Sequence, residues 1–65
     1  GRVGPVNISQ FKVGTFVKHK EYGIGQIVKL EGEGKETKAF IEFNHFGVKR
    51  IFLAFAAANM QVINA

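Results

Sequence analysis

Two glycines flank a single isoleucine at Gly23-Ile24-Gly25, and apolar β-formers resume directly after them. The surrounding run, Phe11 to Val28, holds a strand, a tight turn over Lys20–Gly23 and a second strand. It reads as the opening hairpin of a small β-barrel. Gly25 has two readings: a backbone angle that other residues avoid, or the close approach of a neighbouring strand. No residue in the run has the arrangement of a catalytic group.

At 65 residues the chain is one domain at most. A domain of this size buries only roughly 60% of its unfolded surface, so its core must be dense. With no cysteine there is no disulfide or thiolate metal site, and two histidines make a poor zinc site. The apolar supply is good: 46% of residues are hydrophobic and seven are Phe. Val, Ile and Phe outnumber Leu, which favours strands. No apolar run approaches the roughly 18 residues of a membrane span, and no signal-peptide pattern is visible. A cytoplasmic location and a monomer are expected. The net charge of +4 fits an acidic partner, either nucleic acid or an acidic protein surface, and equally fits ordinary solubility.

Residues 1–10 contain two Gly and one Pro without periodicity, and read as a flexible linker or an expression remnant. The barrel domain is assigned to 11–65. Its strands are expected at Thr15–His19, Gln26–Glu31, Thr37–Phe43, Val48–Leu53 and Met60–Ile63. Val17 should face the core with Lys18 outward. By the period-two rule Ile24, Val28 and Leu30 share one face of the second strand, with Ile27 on the other. Ala39, Ile41 and Phe43 share a face opposite Phe40. Ile51 and Leu53 should point inward, and Lys49 and Phe52 outward. Gly32–Glu36 is a hairpin tip, and Asn44–Gly47 is the next turn. Ala54–Asn59 is too short for a stable isolated helix and reads as one helical turn. The expected fold is all-β: a five-stranded SH3-like (Tudor-like) barrel in meander order, closed to remove its edges, with a short helical turn before the last strand.

A catalytic constellation is not found. Ser9, the only serine, lies in the linker, and the chain has no Asp. Gly23-Ile24-Gly25 lacks the third glycine and the following helix of a dinucleotide fingerprint. No metal or cofactor is expected. His19, at a strand end beside a turn, is expected to hold that turn through a hydrogen bond, as are Gly14, Gly23, Gly25 and Gly47 through their backbone. Lys18, Lys20 and Tyr22 surround the first turn. His45, Phe46, Lys49, Arg50 and Phe52 surround the last, with His45 solvated. Brought together, these cations and rings would stack on bases and neutralise phosphates, or anchor a protein interface. Alternatively, Phe46 and Phe52 simply cover the barrel ends.

Phe11-Lys-Val-Gly-Thr-Phe-Val-Lys-His-Lys-Glu-Tyr-Gly-Ile-Gly-Gln-Ile-Val resembles the start of the C-terminal Tudor-like domain of UvrD/PcrA-type DNA helicases. Gly47-Val-Lys-Arg-Ile-Phe-Leu-Ala-Phe-Ala56 and Met60-Gln-Val-Ile63 resemble later elements of that family, so the likeness covers 11–63. Thr15 stands where the family often has Asp, and Ala57 where many members have Pro. Short barrels of the CarD and transcription-repair coupling factor type share the Gly-x-Gly opening and are the second family considered. The resemblance implies a non-catalytic accessory module, tethered by a linker to a helicase motor. It also implies docking to RNA polymerase, through its β subunit, coupling the helicase to transcription and DNA repair. Tyr22, Lys49 and Arg50 are carried over as the docking face, with Phe52, Lys18 and Lys20 beside them. Direct DNA or RNA binding is the competing function.

Overall fold

The computed structural model describes residues 10–63, so the linker assignment for 1–10 falls, apart from the exposed Gln10, outside the described residues. Five strands are formed: β1 (Phe16–His19), β2 (Gly23–Glu31), β3 (Lys38–Phe43), β4 (Gly47–Phe52) and β5 (Met60–Ile63). They make one antiparallel sheet in the order β4-β3-β2-β1-β5. The first four strands follow the expected meander. β5 pairs with β1 at the opposite edge, as closure of the expected barrel requires, Val17 facing Val62 and His19 facing Met60.

The chain crosses between those edges through the helical turn α1 (Leu53–Ala56) and a 3₁₀ turn at Ala57–Asn59. A flat five-stranded sheet would hold its edge strands about 19 Å apart. Residues 53–59, being helical, advance only about 10 Å. The sheet must therefore curl, and the result is a small barrel-like all-β fold of the Tudor/SH3-like kind. Closure is incomplete: β4 and β5 do not pair with each other. The expected removal of every edge is thus corrected, because the short connection caps the gap between β4 and β5 without a ladder.

The core lies inside the curl. Val17, Ile27, Ile41 and Leu53 are fully buried, and Phe11, Ala39, Phe43, Ala56, Ala57 and Met60 complete the cluster. Each of the large aliphatic side chains contributes about 1.5–3 kcal/mol by leaving water. Ala39, Ile41 and Phe43 share the inner face as expected. In β2 Ile27 is buried and Ile24 and Val28 lie exposed on the opposite face, as the alternation predicts. One expectation there is corrected. Leu30 lies on the side of Ile27, because a register shift between Ile27 and Lys29 inserts one residue and reverses the alternation. Leu53 is buried as expected, but from α1 rather than from β4.

Gly25 is a strand residue rather than a turn residue. A Cβ placed on it would lie 2.6 Å from Phe43 Cδ1 and 2.8 Å from Ile41 Cγ2. Close approach of β3 therefore explains this glycine. Gly23 is different: its φ of +78° turns the chain into β2, a conformation that disfavours side chains.

Candidate docking surface

The turn from β1 to β2 is built around a buried histidine. His19 Nδ1 accepts the backbone N–H of Glu21 at 3.0 Å and of Tyr22 at 3.2 Å. Two donors that no strand partner could reach are thereby satisfied. The ring proton accordingly resides on Nε2. The same two contacts aim Tyr22 back over the imidazole, with the rings stacked at 4.7 Å and 24°.

Tyr22 is the centre of an aromatic group. Phe43 contacts it at 5.2 Å between centroids and meets His19 edge-on at 5.9 Å. Phe46, from the β3–β4 turn, also packs against it, at 5.4 Å. Lys49 Nζ stands 5.3 Å from the centre of the Tyr22 ring. An ammonium over a phenol face is held by the ring quadrupole, more strongly where water is partly excluded. Lys49 is half-buried and Phe46 is exposed, so the group is open to solvent on one side.

The expectation that Lys49 points outward beside Phe52 is corrected. Lys49 faces Ile41 across the β3–β4 ladder, on the inner side of the sheet. Arg50 and Phe52 alternate onto the outer side, facing Phe40 and Lys38. Adjacent positions on a strand cannot share a face, so Lys49-Arg50 divides its charges between two surfaces. Lys18 and Lys20 are elsewhere again. They line an open pocket of about 240 Å³ with His19, Ala58, Asn59, Met60 and Gln61. Lys20 N–H donates to Asn59 O at 2.9 Å, tying the first turn to the 3₁₀ turn. His45 is exposed, as expected.

The outer surface has its own pairs of cations and rings. Lys29 Nζ lies 5.2 Å from the Phe40 centroid, and Lys38 Nζ lies 5.2 Å from that of Phe52. Phe52 meets Phe55 edge-on at 6.1 Å. Phe55 is 80% exposed, the most open large apolar side chain among the described residues. Its exposure was readable from helical spacing, since Leu53, Ala56 and Ala57 bury one side of the turn and Phe55 lies on the other. Lys29 also pairs with Glu31 at 3.0 Å. That hydrogen bond, reinforced by the charges of Lys29, Lys38 and Arg50, holds the Glu31 carboxyl below its ordinary range.

Among the described residues no group of His, Cys, Asp or Glu is arranged to hold a metal, and no helix is long and apolar enough to cross a membrane. What the surface offers is aromatic area, cations and an open strand edge, which are the materials of recognition.

A family model for the PcrA/UvrD tudor domain matches residues 13–58, more than half of the chain. The chain is similar to DNA helicase II of Escherichia coli (strain K12), 36% identical over 50 residues, which are 77% of this chain and 7% of that protein. It is similar to ATP-dependent DNA helicase PcrA of Bacillus subtilis (strain 168), 42% identical over 50 residues, which are 75% of this chain and 7% of that protein. The chain thus spans a small fraction of the length of these relatives.

Proposed function

The chain belongs to the PcrA/UvrD tudor domain family, and from that premise we propose that it is a non-catalytic docking domain of a DNA helicase. Its partner is RNA polymerase, contacted through the β subunit, and the contact couples the helicase to transcription and DNA repair in the cytoplasm. ATP hydrolysis and strand separation belong to other parts of the helicase chain.

The observation that carries this function is the Tyr22 group. His19 fixes the Tyr22 backbone, Phe43 and Phe46 wedge its ring, and Lys49 sits over its face. An aromatic ring locked before binding loses little entropy on contact, and a cation beside it selects an acidic counterpart. Arg50 and Phe52 extend the contact around the β4 edge to the outer side. Lys18 and Lys20 line the adjoining pocket with His19 and add long-range attraction.

The test is a titration of the isotope-labelled chain with purified polymerase β-subunit fragments, then with DNA duplexes and single strands at two salt concentrations. Shifts at Tyr22 and at Lys49–Phe52 are expected with the protein fragments. Lys49→Glu is expected to weaken that binding by about tenfold or more, because it turns attraction into repulsion beside a ring, with the fold retained. Unchanged affinity in Lys49→Glu and Arg50→Glu would remove this face from consideration. Binding to DNA alone, lost at higher salt, would replace polymerase docking with a nucleic-acid contact.

A further inference from the structure

β4 is an edge strand with a free side. Among the described residues its only ladder is with β3, and β5 pairs at the far edge of the sheet. The direction of its backbone groups follows from one bond: Leu53 N–H donates to Thr37 O at 3.0 Å. In an antiparallel ladder such paired positions recur at every second residue. Ile51, Lys49 and Gly47 therefore direct their backbone groups to β3. Val48, Arg50 and Phe52 direct theirs away from the sheet.

The side chains along this edge are as specific as its backbone. Val48, Arg50 and Phe52 alternate on the outer surface, in the order apolar, cationic, apolar. Phe55 extends the apolar end, and Lys38 stands over Phe52. Lys49 and Ile51 line the inner side, and β4 contains no acidic residue. A second copy of the chain is a poor occupant. Antiparallel pairing of β4 with itself, centred on the strand, sets Lys49 or Arg50 against its own copy, and like charges directly opposite destabilise a sheet.

We infer that the β4 edge takes an extended acidic segment of a partner protein as an added strand. The segment presents an acidic side chain opposite Arg50, apolar side chains opposite Val48 and Phe52, and a further acidic one toward Lys49. Main-chain hydrogen bonds to Val48, Arg50 and Phe52 hold it, and the alternating side chains select it. This inference deepens the docking function and rests on it, since it names how the partner's segment is gripped.

The experiment uses the 65-residue chain and two short synthetic peptides. In one, valine, glutamate and valine occupy the positions opposite Phe52, Arg50 and Val48, a second glutamate stands opposite Lys49, and threonine fills the rest; in the other lysine replaces both glutamates. The acidic peptide is expected to shift the Val48, Arg50 and Phe52 amides and slow their hydrogen exchange. The lysine peptide should leave them unchanged. Phe52→Pro isolates the backbone contribution. Phe52 has φ −72°, which proline adopts without strain, and its N–H is not used within the sheet. Phe52→Ala removes the same ring but keeps the N–H. Phe52→Pro is expected to bind about fivefold more weakly than Phe52→Ala, the loss of one hydrogen bond. Equal affinity of the two variants, or binding that leaves the β4 amides exchanging freely, would overturn strand addition. A chain that captures polymerase β fragments without β4 protection would keep the docking function and refute this mode. A chain that binds the acidic peptide at β4 but no polymerase fragment would refute the partner and keep the edge site.

Discussion

Two aromatic groups stand at the two ends of the β3–β4 hairpin, and they are made in opposite ways. At the turn end, the Tyr22 ring is stacked on His19, packed against Phe43 and Phe46, and has Lys49 over its face. At the open end, Phe52 meets Phe55 and carries Lys38 over its ring, and Phe55 is almost wholly in water. The first group joins the core through Phe43, so its rings are part of what keeps the chain folded. The second lies outside the core cluster, so folding alone gives no reason for two phenylalanines to be there. A half-buried ring with a fixed pose supports recognition by shape. An exposed pair beside an unpaired strand edge supports recognition by covering.

Breaking the first group should cost most. Gly25 lets the Phe43 ring and Glu42 O approach β2, the carbonyl oxygen lying 2.9 Å from where a Cβ would sit. Gly25→Val is expected to lower stability by about 3 kcal/mol, the upper end of overpacking costs. For a 65-residue domain that is a large share of the total. Urea denaturation measures it, and the Tyr22 amide should move even in the fraction that stays folded. A loss well under 1 kcal/mol would mean that β3 yields easily and that the group is not tied to the core.

The second group should respond in the reverse sense. Phe55→Ser removes a ring that contributes almost nothing to the interior, so stability should change by no more than about 0.5 kcal/mol. Binding of an acidic strand at β4 should weaken several-fold in the same variant, because covered apolar area is lost. If Phe55→Ser instead unfolds the domain as Gly25→Val does, the contrast between the two ends disappears and Phe55 is a structural residue.

The difference between these ends also marks how far the sequence could be read. Strand positions, the helical turn before β5 and the buried face of β3 follow from period and turn chemistry, which are local properties. His19 beside its turn was legible for the same reason, since its partners lie two and three residues away. The inner position of Leu30 was not, because it depends on a bulge that β3 induces across the ladder. The division of Lys49 from Arg50 was legible, since strict alternation requires it once the strand is assigned. The long-range fact that β4 keeps a free edge among the described residues, β5 closing on β1 alone, depends on how far the sheet curls. No local pattern encodes that curl.

Glu31 provides the finest test of the contrast, at the outer surface where effects should be smallest. Lys29 donates to its carboxylate, and Lys38 and Arg50 add favourable charge, so the folded carboxyl titrates below its ordinary value of 4.5. A lowered carboxyl favours the folded state above that ordinary value. The advantage fades as pH falls through the folded value, where both states become protonated. The group is exposed, however, and water and salt screen such a pair until little of it is measurable. Glu31→Gln should therefore melt with the parent chain at neutral pH. Any gap between the two curves should be confined to low salt and should close as the pH is taken below the carboxylate range. A gap that persists in high salt would mean that the outer surface is drier than its exposure indicates. The Lys29, Phe40 and Glu31 row would then have to be counted with the Tyr22 group, as structure, rather than with Phe52 and Phe55.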